Sequence, residues 1–180
     1  MKSAPLTLLV ALAVMALCTH ATAEQPYETV LAGSLPKDMR PLEAADISAD
    51  DCEPPFKRGV VAADFNGDGM LDIAVLAVSR RPRGTVNWNG SVLQKVSFTL
   101  LVFMARRNGT FERLVLWKNR SGYLPSIYGI ERAEPGEVHD LESEGTVHLT
   151  NPGIGWFACG KSSGIYFWKG RGFSEIFTSD

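Results

Sequence analysis

Val60-Val61-Ala62-Ala63-Asp64-Phe65-Asn66-Gly67-Asp68-Gly69-Met70-Leu71-Asp72-Ile73-Ala74-Val75-Leu76-Ala77-Val78 reads as a strand, an acidic loop and a second strand. Val60 to Ala63 is a short apolar run that enters the loop. Ile73 to Val78 leaves it and is apolar without alternation, the pattern of a central strand covered on both faces. Between them, Asp64, Asn66, Asp68 and Asp72 put side-chain oxygens at the first, third, fifth and ninth positions of the loop. Gly67 and Gly69 give the backbone the positive-φ freedom to fold around those oxygens.

Outward from this hairpin the chain keeps the grammar of strands and turns. Val92 to Arg106 alternates, with Phe98, Leu100, Val102 and Met104 on one face and Thr99, Leu101 and Phe103 on the other. Asn108-Gly109 is the strongest short-range hairpin signal, and Phe111 to Lys118 returns as the partner. Tyr128–Ala133, Thr146–Thr150, Gly164–Trp168 and Phe173–Thr178 are further strands. Together they predict about eight strands in two four-stranded units, 60–118 and 128–178, of which only the first carries the acidic loop. Ser79 to Ser91, rich in Arg, Pro, Gly and Asn, reads as a loop.

The loop donors are three carboxylates and one amide, with the Met70 carbonyl at the seventh position as a fifth oxygen. An all-oxygen set suits calcium over zinc or copper, and calcium accepts a looser cage than magnesium. Gly69 sits at the sixth position, where the turn is sharpest. An EF-hand would place a bidentate Glu at the twelfth position and helices on both sides; here Val75 stands there and both flanks are strands. The competing reading is a plain Asn-Gly/Asp-Gly turn that holds no metal. Against it, three carboxylates gathered without a cation repel one another.

Val61 to Val75 resembles the FG-GAP/VCBS-type repeat, the calcium-binding blade motif of integrin alpha-subunit propellers and of many bacterial secreted proteins. The resemblance covers about fifteen residues. It implies calcium ligation by Asp64, Asn66, Asp68, the Met70 carbonyl and Asp72, and carries no activity with it. Leu76-Ala77-Val78 replaces the family's Gly-Ala-Pro, the motif occurs once, and the chain is short for a closed propeller. The expected fold is therefore mainly β: compact antiparallel sheets forming one or two propeller-blade-like units, not a closed propeller.

Of 180 residues, 45% are hydrophobic and 21% charged, an ordinary globular balance, and a net charge of −2 provides no basic field for nucleic acid. Residues 1–23 read as a signal peptide: Lys2, an apolar run from Leu6 to Leu17, and Ala21-Thr22-Ala23 before a cut at Glu24. Cys18 follows the bulky Leu17, unlike a lipoprotein signal. No later run is long enough to span a membrane. Residues 24–55, with five prolines, form an irregular arm with one short helix near Pro41–Asp46; residues 56–180 form the β domain. Export leaves Cys52 and Cys159, which most economically form one disulfide; free thiols or a thiol metal site are the alternatives.

Other constellations carry less. Gly155-Trp156-Phe157-Ala158-Cys159-Gly160-Lys161-Ser162 matches a P-loop by letter, but a β-rich aromatic run follows where a helix is required. His139, His148 and Asp140 lack the spacing of a catalytic set. Glu131, Glu134, Glu137, Asp140, Glu142 and Glu144 form an acidic solvated stretch. Arg80, Arg81, Arg83, Arg106, Arg107, Arg113, Lys118 and Arg120 cluster near turns, as edge protection or as a patch for an anionic partner. Trp117, Trp156, Tyr166 and Trp168 read as core or cross-strand aromatics. The sequence therefore predicts an exported, periplasmic or secreted, calcium-binding recognition module without catalysis, whose partner is a protein or glycan. A periplasmic inhibitor or protective protein against a hydrolase or toxin is the second expectation, and a hydrolase with structural calcium the third.

Overall fold

The structure, a computed structural model, describes residues 27–48 and 59–179. Those residues form twelve strands, one α-helix and one 3-10 turn. The expected mainly β architecture of antiparallel sheets, open rather than closed into a propeller, is what the chain adopts.

The first sheet is built on β3 (Asp72–Ser79), which is buried along nearly its whole length. On one edge it pairs with β2 (Val60–Ala63) and, end to end with β2, with β1 (Met39–Pro41). On its other edge it pairs with β5 (Ser91–Ala105). β5 pairs in turn with β4 (Thr85–Trp88) and, along most of its length, with β6 (Phe111–Leu124). The frame is thus the antiparallel meander β2-β3-β5-β6. The second sheet is also a meander: β7 (Tyr128–Ala133), β10 (Gly153–Ala158), β11 (Ser162–Trp168) and β12 (Phe173–Ser179). A separate hairpin, β8 (Gly136–Asp140) and β9 (Gly145–Leu149), interrupts it after β7.

The alternation of β5 decides how the sheets pack. Phe98, Leu100, Val102 and Met104 face the main core with Leu76, Val78, Ile130, Ile154 and Tyr166 of the two sheets. Leu101 and Phe103 face a second cluster with Val75, Ala77, Leu31 and Met39. The first sheet is therefore covered on both faces, which is why β3 has no polar alternation.

The second cluster corrects one expectation. The segment read as an irregular arm carries α1 (Tyr27–Ser34), β1 and a 3-10 turn at Ala44–Asp46, the last close to the helix expected near Pro41–Asp46. It is pinned by Arg40, whose guanidinium forks onto the Asp46 carboxylate at 2.5 and 2.7 Å. The boundary between arm and β domain, at 55/56, lies outside the described residues.

Four strands were not expected: β1, β4, β8 and β10. The P-loop-like run is instead the hairpin β10–β11, turning at Gly160 with φ +67. Its glycines answer to crowding between strands. A Cβ on Gly153 would lie 2.6 Å from Ile165 Cγ2, and one on Gly155 would lie 2.9 Å from Glu131 Cγ. Among the described residues, no helix is long and apolar enough to cross a membrane.

Candidate metal centre

The acidic loop joins β2 to β3, with Ala63 opposite Asp72 in register. Its second residue anchors it. Phe65 is fully buried and meets Phe173 of β12 edge to face at 6.3 Å. Gly67 and Gly69 adopt φ +77 and +83, the left-handed turn that a side chain resists. Gly67 also lies under Asn151, whose Oδ1 would be 2.8 Å from a Cβ there. Both contacts reach the second meander, through Phe173 of β12 and through Asn151 just before β10.

The polar side chains wrap the loop's own backbone. Asp64 Oδ1 accepts from the amides of Gly67 (2.7 Å) and Asp68 (3.1 Å), and Oδ2 from Gly69 (2.7 Å). Asn66 Oδ1 accepts from the Asp68 amide at 3.0 Å, and its Nδ2 donates to Asp68 Oδ2 at 2.9 Å. Asp68 Oδ1 accepts from the Met70 amide at 2.9 Å. Asp72 is fully buried: its Oδ2 accepts from Phe65 N at 3.1 Å and its Oδ1 from Ala105 N at 2.8 Å. It thereby ties the loop to the far end of β5.

The electrostatics of Asp72 follow from that position. Its carboxyl is raised to about 6, chiefly by burial and against the pull of the two amides, with the charges of Asp68 and Asp64 acting in the same direction as burial. Among the described residues, no Lys or Arg forms an ion pair with Asp64, Asp68 or Asp72. Among the described residues, the three carboxylates therefore share one corner without an ion-paired countercharge.

Whether this set fits a hard cation is a question of spare lone pairs. A carboxylate offers about four acceptor sites. Asp64 uses three of them, Asp68 two and Asp72 two. Each keeps at least one oxygen lone pair, so the donor chemistry suits calcium. As they stand, however, the side chains are turned to the amides. Among the described residues no group of three or more His, Cys, Asp or Glu is drawn together as a ready metal cage. Cation binding would require the loop's side chains to reorient.

Of the expected disulfide, Cys52 lies outside the described residues. Cys159 is half-buried against the main core, at the end of β10, with its amide donating to Ile127 O at 2.9 Å. His139 and His148 both lie on the β8–β9 hairpin, opposite Thr146 and Glu137. Asp140 caps that hairpin's turn. Its carboxyl is held below the usual range, chiefly by the Ser143 hydroxyl at 2.6 Å.

The expected basic patch divides. Arg106 pairs with Glu112. Arg83 and Arg120 meet Lys95, Ser121 and Tyr123 around a hollow of about 290 Å³. Lys95 joins through the register of β5 on β6, opposite Tyr123, a pairing that no local motif announces. Sequence reasoning also missed Trp88 and Val92. They lie on the β4–β5 hairpin and are 65% and 66% exposed. The signal was present in a large aromatic residue beside Asn89-Gly90, but only the register shows that both faces of this hairpin meet solvent. No protein-family model, curated protein or solved structure matches the chain.

Proposed function

We propose that the protein is an exported recognition module that binds a protein or glycan partner through the β4–β5 hairpin and uses calcium at loop 64–72 as a structural ion. The observation that carries the recognition reading is the hairpin's surface. Trp88 and Val92 are exposed on the β4–β5 hairpin, and β5 also contributes Lys95 to the hollow formed with Arg83, Arg120 and Tyr123. Trp, Tyr and Arg are the residue types that dominate binding energy at protein interfaces, and the cationic hollow suits an acidic partner. The calcium reading rests on the oxygen donors and their spare lone pairs, the uncompensated charge around Asp72, and the likeness of residues 61–75 to the FG-GAP/VCBS-type repeat. Bound there, the cation would be held by Asp64, Asn66, Asp68, the Met70 carbonyl and Asp72, and would supply the missing positive charge. The signal peptide 1–23 and the Cys52–Cys159 disulfide belong to the same reading.

A second reading, a periplasmic inhibitor or protective protein, uses the same hairpin as a probe inserted into the cleft of a hydrolase or toxin. Affinity capture from envelope and culture fractions tests both, with wild type and Trp88→Ala compared. One enzyme recovered only by wild type supports inhibition; a glycan or matrix protein supports adhesion. Equal capture by both proteins would remove the hairpin from the account.

A further inference from the structure

Three segments bring the cationic hollow of about 290 Å³ together at one end of the first sheet. β5 supplies Lys95, whose neighbour Val96 is fully buried, so alternation along the strand turns Lys95 away from the core. Its register partner Tyr123 follows it, while Leu124, the next residue of β6, is buried. Arg83 comes from the other edge of β5. Its amide donates to Lys95 O at 2.8 Å, and the Lys95 amide donates to Gly84 O at 2.8 Å. Arg120 arrives through a β-bulge. Val96 lies opposite Gly122 and Phe98 opposite Asn119, so Arg120 and Ser121 together stand opposite Ser97 alone. Asn119 Oδ1 accepts from the Ser121 amide at 2.8 Å and fixes the bulge. Bulges re-aim side chains, and this one delivers Arg120 to the hollow that Lys95 lines.

Among the described residues, no Asp or Glu lines this hollow, and none of its three cations forms an ion pair. Like charges gathered without a counterion repel one another, so the arrangement favours an anion from outside the chain. Three cations favour a dianion over a monoanion. Arg83 and Arg120 carry planar forks that match the oxygens of a phosphate, and Lys95 adds a compact point charge. Ser121 and Tyr123, which complete the lining, carry hydroxyls. The volume approaches that of small-molecule sites and is more than one phosphate fills, which leaves room for the group that carries it. Tyr123 is 40% exposed, and its ring offers an apolar face to the C–H face of a pyranose.

We propose that the hollow binds a phosphate monoester carried on a sugar, with the phosphate among Arg83, Lys95 and Arg120 and the sugar ring over Tyr123. The site gives the partner of the recognition reading a chemical class and rests on that reading, but its test uses other residues. Its failure leaves Trp88-dependent capture as it was, and failed capture leaves the sugar-phosphate titration as it was.

The test is calorimetric titration of glucose 6-phosphate into the full chain at about pH 7.5, where the monoester is a dianion. Glucose 6-sulfate, glucuronate and inorganic phosphate are titrated beside it. The expected result is saturable binding of glucose 6-phosphate, about tenfold tighter than glucose 6-sulfate or glucuronate and about threefold tighter than inorganic phosphate. Arg120→Gln weakens glucose 6-phosphate about tenfold, and Lys95→Gln serves if that variant does not fold. Lys118→Gln, which removes a cation of β6 outside the hollow, leaves the affinity unchanged. Tyr123→Ala removes the advantage over inorganic phosphate. Absence of saturable binding up to about 10 mM, equal affinity for glucuronate or glucose 6-sulfate, or binding that survives both Arg120→Gln and Lys95→Gln would each overturn the proposal. Tighter binding of O-phosphoserine than of glucose 6-phosphate would place the phosphate on a protein and overturn the sugar.

Discussion

The two meanders share a plan and differ in how they are covered. In the first, β3 and β5 are buried on both faces, by the second sheet on one side and by α1 and β1 on the other. In the second, the main core covers one face, and β11 alternates buried and half-buried residues. Each also carries a projecting hairpin. That of the first, β4–β5, exposes Trp88, and its strand β5 carries Lys95 into the hollow with Arg83 and Arg120; that of the second, β8–β9, carries Glu137 and, in its turn, Glu142 and Glu144. Stability is therefore concentrated in the first sheet, and the two surfaces offer opposite charge to partners.

The largest expected effect breaks the outer cover of the first sheet. Leu31, 4% exposed, packs on Val75, Leu101 and Phe103. Leu31→Ala should cost about 2–4 kcal/mol in urea unfolding, and Ile165→Ala, half-buried on the second sheet, roughly 1 kcal/mol. Equal losses would mean that the two sheets are equally covered.

Next is the covalent tie to the second sheet. If Cys52 and Cys159 are joined, mass spectrometry of the unreduced, alkylated chain shows neither labelled. Reduction should then cost about 2–4 kcal/mol in the same unfolding assay. Two labelled thiols without reduction would remove the disulfide.

The pH dependence sharpens the contrast at the loop. Asp72, raised to about 6 in the fold against 3.8 as its ordinary value, binds more protons folded than unfolded between those values. Without calcium, stability should therefore rise as pH falls from 7.5 to 5, by roughly 1 kcal/mol. Calcium favours the ionised carboxylate, so with calcium the trend should flatten or reverse. A melting temperature that falls with acidification in EDTA would contradict the assignment of Asp72.

The smallest stability effect belongs to the hairpins. Trp88→Ala and Leu141→Ala should each change stability by within about 0.5 kcal/mol, since both side chains are exposed. Only the first should lose partner capture.

Much of this architecture was legible in the sequence because the strands that mattered most bury their residues in a pattern. The unbroken apolar run of β3 and the alternation of β5 announced both the double cover and the two faces. What was hidden depended on partners distant in the chain. β4 is exposed apart from half-buried Val86, so Thr85, Asn87 and Trp88 show no buried face. β10 showed in the sequence only as part of a P-loop-like run, because the close approach of Ile165 and Glu131 that demands Gly153 and Gly155 exists only after pairing. The acidic loop was legible as donors at a hairpin corner. That its side chains turn to its own amides, with Asp72 reaching Ala105 across the sheet, was not. The cavity between the two sheets was hidden for the same reason: its walls come from seven strands.

The most direct measurement is calorimetric titration of calcium into the EDTA-treated, dialysed chain, with Asp68→Ala alongside. The account predicts one calcium per chain for wild type, a raised melting temperature on binding, and loss of both in Asp68→Ala. No binding heat, together with a melting temperature that neither EDTA nor calcium moves, would make loop 64–72 a metal-free hairpin corner closed by its own amides.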